Sequence, residues 1–221
     1  MSGTGGSRLV VFDFDGVLVA GDSMASLLKR LIVERWWKRA LALVVFPVAM
    51  PLLVSKRFLP FGASVFRRIA FIGLGGAELR ERLESFGREL AADARKAKPR
   101  AVAALRAHVA AGDRVIVASG SEEKIVRAVL AALGLPDVGV IASQIELEPA
   151  VLIRRHCYGA AKCVALAEAG HERWDVAYSD SLADLPLLRA ADRPVLVDAK
   201  PAMVAEATRL LGRAPELIDW T

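Results

Sequence analysis

Two aspartates, Asp13 and Asp15, flank one phenylalanine in the run Val10-Val11-Phe12-Asp13-Phe14-Asp15-Gly16. Further polar groups follow in order: Ser119 with Gly120 in Ser119-Gly120-Ser121, then Lys162, then Asp180 and Asp184. Each has an ordinary explanation alone. An Asp-x-Asp pair is commonly turn chemistry, a Ser-Gly-Ser caps a helix, and a lone helical lysine is a surface charge. Together they suit one reaction. A phosphate monoester dianion repels an anionic nucleophile, so a carboxylate attacks phosphorus only beside a cation. Mg²⁺ favours hard oxygen ligands and binds through one or two carboxylates plus phosphate. Asp13 and Asp180 can supply those carboxylates. Ser119, with the amides that follow it at a helix N-terminus, suits one phosphate oxygen, and Lys162 suits another. Asp15 can protonate a leaving alkoxide and later activate water. An aspartyl-phosphate would split one hard step into two easier ones.

The elements that must position these groups are legible as an alternation. Short apolar runs at Arg8–Phe12, Arg114–Ala118, Asp175–Tyr178 and Pro194–Val197 each end at a polar turn, and Val138–Ala142 is a fifth candidate strand. Helical spacing follows over Arg100–Ala111, Glu122–Leu133, Gly159–Ala169 and Pro201–Leu211, with a glycine next to or at the end of each. Strands alternating with helices indicate an α/β fold with a doubly wound parallel sheet. Ligands then bind outside the carboxyl ends of the strands, which gathers the polar turns on one rim.

Residues 20–98 break the alternation. They read as helices only: Ser23–Arg39, a second apolar stretch, Ser64–Ile72 and Ala77–Ala97. The expected organisation is a core of residues 1–19 and 99–221 with an inserted all-helical cap over 20–98. That segment carries 15 Lys+Arg against 7 Asp+Glu, whereas the rest of the chain is acidic on balance, so the insertion should face something anionic. Its fifteen residues Ala40–Val54 have no polar side chain. As one helix they would reach only ~22 Å against a hydrocarbon core of ~30 Å. Pro47 and Pro51 would also disturb a straight helix. Arg35, Trp36, Trp37, Lys38 and Arg39 precede the run, and Lys56-Arg57 follow it. Shallow contact with a membrane surface, beside basic and tryptophan anchors, fits better than spanning. The competing reading buries the run within the cap or a dimer.

Other classes fit poorly. Cys157 and Cys163 form neither a C-x-x-C pair nor a disulfide framework, which suggests a reducing, cytoplasmic setting. The glycine-rich start reads as a flexible leader without the regions of a signal peptide. Basic residues interleaved with apolar stretches, and no reader motif, argue against nucleic acid. Gly73-Leu74-Gly75-Gly76 does not complete a dinucleotide fingerprint, and no G-x-S-x-G surrounds Ser119. His108, His156 and His171 lack metal-ligand spacing.

The ordered set resembles the haloacid dehalogenase superfamily of phosphatases. Its four motifs correspond to Asp13-Phe14-Asp15-Gly16, to Ser119 after a strand, to Lys162 in Cys157-Tyr158-Gly159-Ala160-Ala161-Lys162, and to Ser179-Asp180 with Asp184. The resemblance implies a Rossmann-like core, with Asp13 as nucleophile and Asp15 as acid and base. Ser119, Gly120 and Lys162 would bind phosphate. Mg²⁺ would be held by Asp13, Asp180 and the main-chain carbonyl of Asp15, with Asp184 orienting Lys162 or a metal-bound water. Val17 stands where many relatives carry threonine, which removes a hydroxyl but no catalytic group.

More narrowly, the apolar proline-containing insertion, Ile141–Ile145, the Lys162 motif and Tyr178–Ser181 resemble the phosphatidylglycerophosphatase C group. That implies dephosphorylation of phosphatidylglycerophosphate in phospholipid synthesis, by a protein peripheral on the cytoplasmic face of the inner membrane. The alternative is a soluble small-molecule phosphatase similar to phosphoserine phosphatase. There a glutamate contacts the substrate ammonium; Asp22 occupies the matching position here. A non-enzymatic phosphate- or lipid-binding module would be expected to lose Asp13 or Asp15, and both are present.

Overall fold

Strand β1 (Leu9–Phe12) is a buried apolar run whose side chains alternate between two hydrophobic layers. Val10 and Phe12 point into one, Val11 into the other. The computed structural model describes residues 7–54, 59–146 and 152–220. The leader read at residues 1–6 and the pair Lys56-Arg57 lie outside them. β1 lies at the centre of a seven-stranded sheet with β2 (Arg114–Glu122), β3 (Gly139–Glu146), β4 (Leu152–Arg155), β5 (Trp174–Ser179), β6 (Ala191–Val197) and β7 (Glu216–Ile218). The order is β4-β3-β2-β1-β5-β6-β7, and every pairing is parallel except β3 with β4. Six parallel strands flanked by helices make the expected doubly wound α/β core.

Among the described residues, helices α1 (Ser23–Val33), α2 (Trp36–Val54), α3 (Leu59–Phe71) and α4 (Gly76–Ala92) lie between β1 and β2. The core helices are α5 (Pro99–Ala110), α6 (Glu123–Ala132), α7 (Ala160–Glu168), α8 (Leu185–Arg189) and α9 (Pro201–Leu211). Among the described residues, Leu27, Leu31, Phe71, Leu83 and Phe86 of the insertion join Phe12, Val117 and Ile125 of the α/β core in one cluster. Gly87 permits the close crossing of α4 on α6, where a Cβ would stand 2.7 Å from both Ala128 Cβ and the Ile125 carbonyl oxygen. The chain leaves and re-enters side by side, with Ala20 N donating to Lys96 O (2.7 Å) and Lys98 N to Leu18 O (3.0 Å).

Four differences from the sequence reading matter. The helix expected over Ser23–Arg39 stops at Val33, and a new one begins at Trp36. That second helix continues through Pro47 and Pro51, so the prolines interrupt its hydrogen bonds without ending it. β2 runs past Ser119 to Glu122, with a register shift between them. The short elements β4, α8 and β7 carry too few residues for a periodic signal.

Candidate active site

The register of the central strands brings the polar turns together. Phe12 stands opposite Val117 and Tyr178, so Asp13 emerges at the carboxyl edge, level with Ala118 and Ser179. Its amide donates to Tyr178 O (2.9 Å). Its carboxylate Oδ1 accepts from Phe14 N (2.7 Å) and lies 2.7 Å from Lys162 Nζ. Lys162 Nζ also donates to Asp184 Oδ2 (2.7 Å), which accepts Ser179 Oγ as well (2.9 Å). Asp13, Lys162, Ser179 and Asp184 are all buried. One buried ammonium therefore faces two buried carboxylates. Burial pushes the Asp13 carboxyl well above its ordinary range; Lys162 pulls it down, but not far enough, and Asp184 pushes it up further. Burial alone would lower the Lys162 ammonium, yet Asp13 and Asp184 more than offset this and hold it above its ordinary value.

Lys162 reaches this point because Gly159, with φ +56°, starts α7 close to the Asp184 turn; a Cβ there would stand 3.1 Å from Ala183 O. Asp184 ends a single 3₁₀ turn (Leu182–Asp184) after β5.

Asp15 belongs to a second group. Its Oδ1 accepts from Ser23 N (2.8 Å) and its Oδ2 from Ser121 Oγ (2.6 Å), while the Ser23 and Ser121 hydroxyls are 2.5 Å apart. Burial raises the Asp15 carboxyl, and the bonds from Ser121 and Ser23 partly counter it. Asp180 joins through the turn that follows Asp15. Gly16 has φ +76°, and a Cβ on it would fall 1.8 Å from Asp180 Oδ2. Burial also raises Asp180.

Ser119 is fully buried at the carboxyl end of β2 and accepts Ser121 N (2.9 Å). The helix expected from Glu122 begins one residue later: α6 starts at Glu123, capped by Glu122, whose carboxylate accepts Lys124 N (2.6 Å), so the amides directly after Ser119 belong to β2 and not to a helix N-terminus. The strand continues because Glu122 still pairs with Ser143 on β3. Gly120 lies under Tyr158, where a Cβ would stand 3.2 Å from the ring. Ser23, Ser121 and Ser179 join the site beyond the residues that the sequence motifs name. Ser121 and Ser179 sit inside the polar strand ends that the sequence did mark, but Ser23 carries no local signal.

The donor set suits a hard divalent cation. Among the described residues no three His, Cys, Asp or Glu side chains gather around one point. Asp13 and Asp180, carboxylates whose ionised forms burial penalises, and the Asp15 carbonyl are hard oxygen donors of the kind Mg²⁺ accepts alongside phosphate and water. The missing side chain of Gly16 leaves the space that Asp180 occupies. Cys157 offers no competing nucleophile: it is fully buried and its thiol is pushed up to about 11 by burial.

Residues 10–189 match the haloacid dehalogenase-like hydrolase family model. The chain belongs to this family. No curated protein matches it. Solved structures share the fold at low identity. A protein of unknown function from Bordetella pertussis Tohama I aligns over 98% of this chain and 100% of its own, with TM-score 0.59 and 19% identity. A phosphoserine phosphohydrolase-like protein from Francisella tularensis subsp. tularensis SCHU S4 aligns over 96% and 94%, with TM-score 0.61 and 14% identity. A phospho-aspartyl intermediate analogue of phosphoserine phosphatase aligns over 96% and 93%, with TM-score 0.53 and 18% identity. At such identities the likeness is one of fold, and this family member's own site must carry the chemistry.

The insertion presents an unusual surface. Leu43, Val44 and Val48 on α2 are each at least 75% exposed, and Trp36 is 73% exposed. α2 packs on α3 through Phe46 and Phe66, with ring centroids 6.4 Å apart. Lys38, expected among the surface anchors, is instead 4% exposed and donates to Ala70 O (2.6 Å). It satisfies a carbonyl in the last turn of α3. Among the described residues no helix is long and apolar enough to cross a membrane.

Proposed function

We propose that the protein is a Mg²⁺-dependent phosphomonoester hydrolase that works through an aspartyl-phosphate on Asp13. The observation carrying this reading is the buried bridge from Asp13 through Lys162 to Asp184 at the carboxyl edge of the sheet. The Asp13 carboxylate attacks phosphorus while the ester P–O bond breaks, and Asp15 gives its proton to the leaving oxygen. Asp15 then takes a proton from water as that water attacks the aspartyl-phosphate, which releases phosphate and restores Asp13. Lys162 and Ser119 bind phosphate oxygens with the Gly120 backbone, and Asp184 holds Lys162 in line. Asp13, Asp180 and the Asp15 carbonyl would hold Mg²⁺, which when bound supplies the positive charge that lets two anions meet. The helices of residues 20–98 act as a cap over this rim.

The substrate we favour is a phosphorylated anionic lipid, phosphatidylglycerophosphate, met at the cytoplasmic surface of a membrane. The exposed apolar face of α2, next to Arg35 and Arg39 in a basic insertion, supports contact with an anionic bilayer. The phosphoserine reading has weaker support because Asp22 caps α1, its carboxylate accepting Ala25 N (2.8 Å). A phosphate-release assay on phosphatidylglycerophosphate in detergent, phosphoserine and sugar phosphates tests both readings. Preference for the lipid supports the proposal; preference for phosphoserine overturns the lipid substrate, and no turnover of any ester with Mg²⁺ overturns the phosphatase.

A further inference from the structure

We infer that Lys98 is a positioning residue that clamps the Asp15–Gly16 turn against Asp180. Its Nζ donates to Gly16 O (2.5 Å) and pairs with Asp198 Oδ2 (2.5 Å), and both side chains are only 14% exposed. Each end of this bridge is itself anchored. The Lys98 backbone amide is bonded to Leu18 O, and α5 begins at the next residue, Pro99. Asp198 follows β6, with its amide on Ile218 O (2.9 Å) and its Oδ1 accepting Trp220 N (2.6 Å). Asp198 is the only non-glycine with positive φ among the described residues, at +50°. Such a conformation is unfavourable for a residue with a side chain and is kept where the surroundings fix it.

The turn gripped in this way has little freedom left. Gly16 N donates to Val19 O (2.7 Å), its carbonyl takes Lys98, and a Cβ on it would fall on the Asp180 carboxylate. Asp180 and the Asp15 carbonyl would have to face one place to hold a single Mg²⁺, so the freedom of this turn bears directly on that site. Lys98 is also where the insertion rejoins the core, so the clamp ties the root of the insertion to the same turn. Helix capping or a surface ion pair would not need two simultaneous partners on separate strand ends.

Charge and position predict opposite signs, which makes the idea testable. An ammonium near a cation site repels the cation, so charge alone predicts tighter Mg²⁺ binding once Lys98 is neutralised. Positioning predicts weaker binding. Mg²⁺ titrated calorimetrically into the full-length protein, without substrate, should show Lys98→Met raising Kd about tenfold, and Asp198→Asn raising it about threefold. Lys98→Arg, which keeps a charged donor, should stay closer to wild type than Lys98→Met. On an aryl phosphate at saturating Mg²⁺, kcat should fall more than KM changes. Unchanged or tighter Mg²⁺ binding in Lys98→Met overturns the inference; if that variant does not fold, unchanged binding in Asp198→Asn overturns it. The inference rests on the Mg²⁺ site proposed above. A wild type that binds Mg²⁺ in a Lys98-dependent way yet hydrolyses no ester overturns the activity and leaves the clamp standing.

Discussion

The Asp180 carboxylate occupies the space where a side chain on Gly16 would be, with Oδ2 1.8 Å from the position of a Cβ. Gly16→Ala should therefore combine a strained φ of +76° with a direct displacement of Asp180. Strain alone costs about 1 kcal/mol. Gly21 is the control, because its φ is +82° and nothing lies within 4 Å of its Cβ position. Thermal melts should show both variants destabilised, whereas phosphate release should collapse only in Gly16→Ala. Equal activity in the two would mean that Asp180 is not needed where it stands.

Asp13→Asn should lower turnover of an aryl phosphate by roughly a thousandfold or more. The fold should survive, because Lys162 keeps its bond to Asp184. Retention of more than a few per cent of the wild-type rate would remove Asp13 as nucleophile.

Ser121→Ala should move the alkaline limb of the pH–rate profile. Burial raises the Asp15 carboxyl, and the Ser121 hydroxyl pulls it back by bonding to the charged form. A general acid works while protonated, so rate falls as pH rises through its pKa. Without Ser121 that pKa rises, and the falling limb shifts to higher pH. A shift to lower pH would contradict the acid role. Esters with poor leaving groups should show it most clearly, since aryl phosphates need little protonation.

Flotation with anionic vesicles should carry the wild type at low salt and lose it progressively as salt is added. Leu43→Asp with Val48→Asp should abolish flotation, because both positions are more than three-quarters exposed. Lys38→Ala should lower the melting temperature while leaving flotation nearly unchanged, because its ammonium is spent on Ala70 O. A wild type that never floats removes the membrane reading and favours a soluble substrate or a dimer contact through α2.

The alternation of strands and helices, the polar strand ends and the order of Asp13, Asp15, Ser119, Lys162, Asp180 and Asp184 are legible along the chain without its fold. These are local matters: apolar runs of period two or 3.6, and turn residues at their ends, are set by neighbours in the chain. Other features depend on contacts between distant parts of the chain. Ser23 reaches Asp15 because α1 begins where the chain turns back over the rim. Lys98 reaches Gly16 and Asp198 across 82 and 100 residues of chain. The short β4 and β7 exist because neighbouring strands offer them backbone partners. Whether Lys38 anchors at a surface or caps a helix depended on where α3 ends, which no pattern around Lys38 records. Long-range pairing is chosen by the whole packed chain, so residues that only support the site stay silent in the sequence while residues that repeat a local pattern do not.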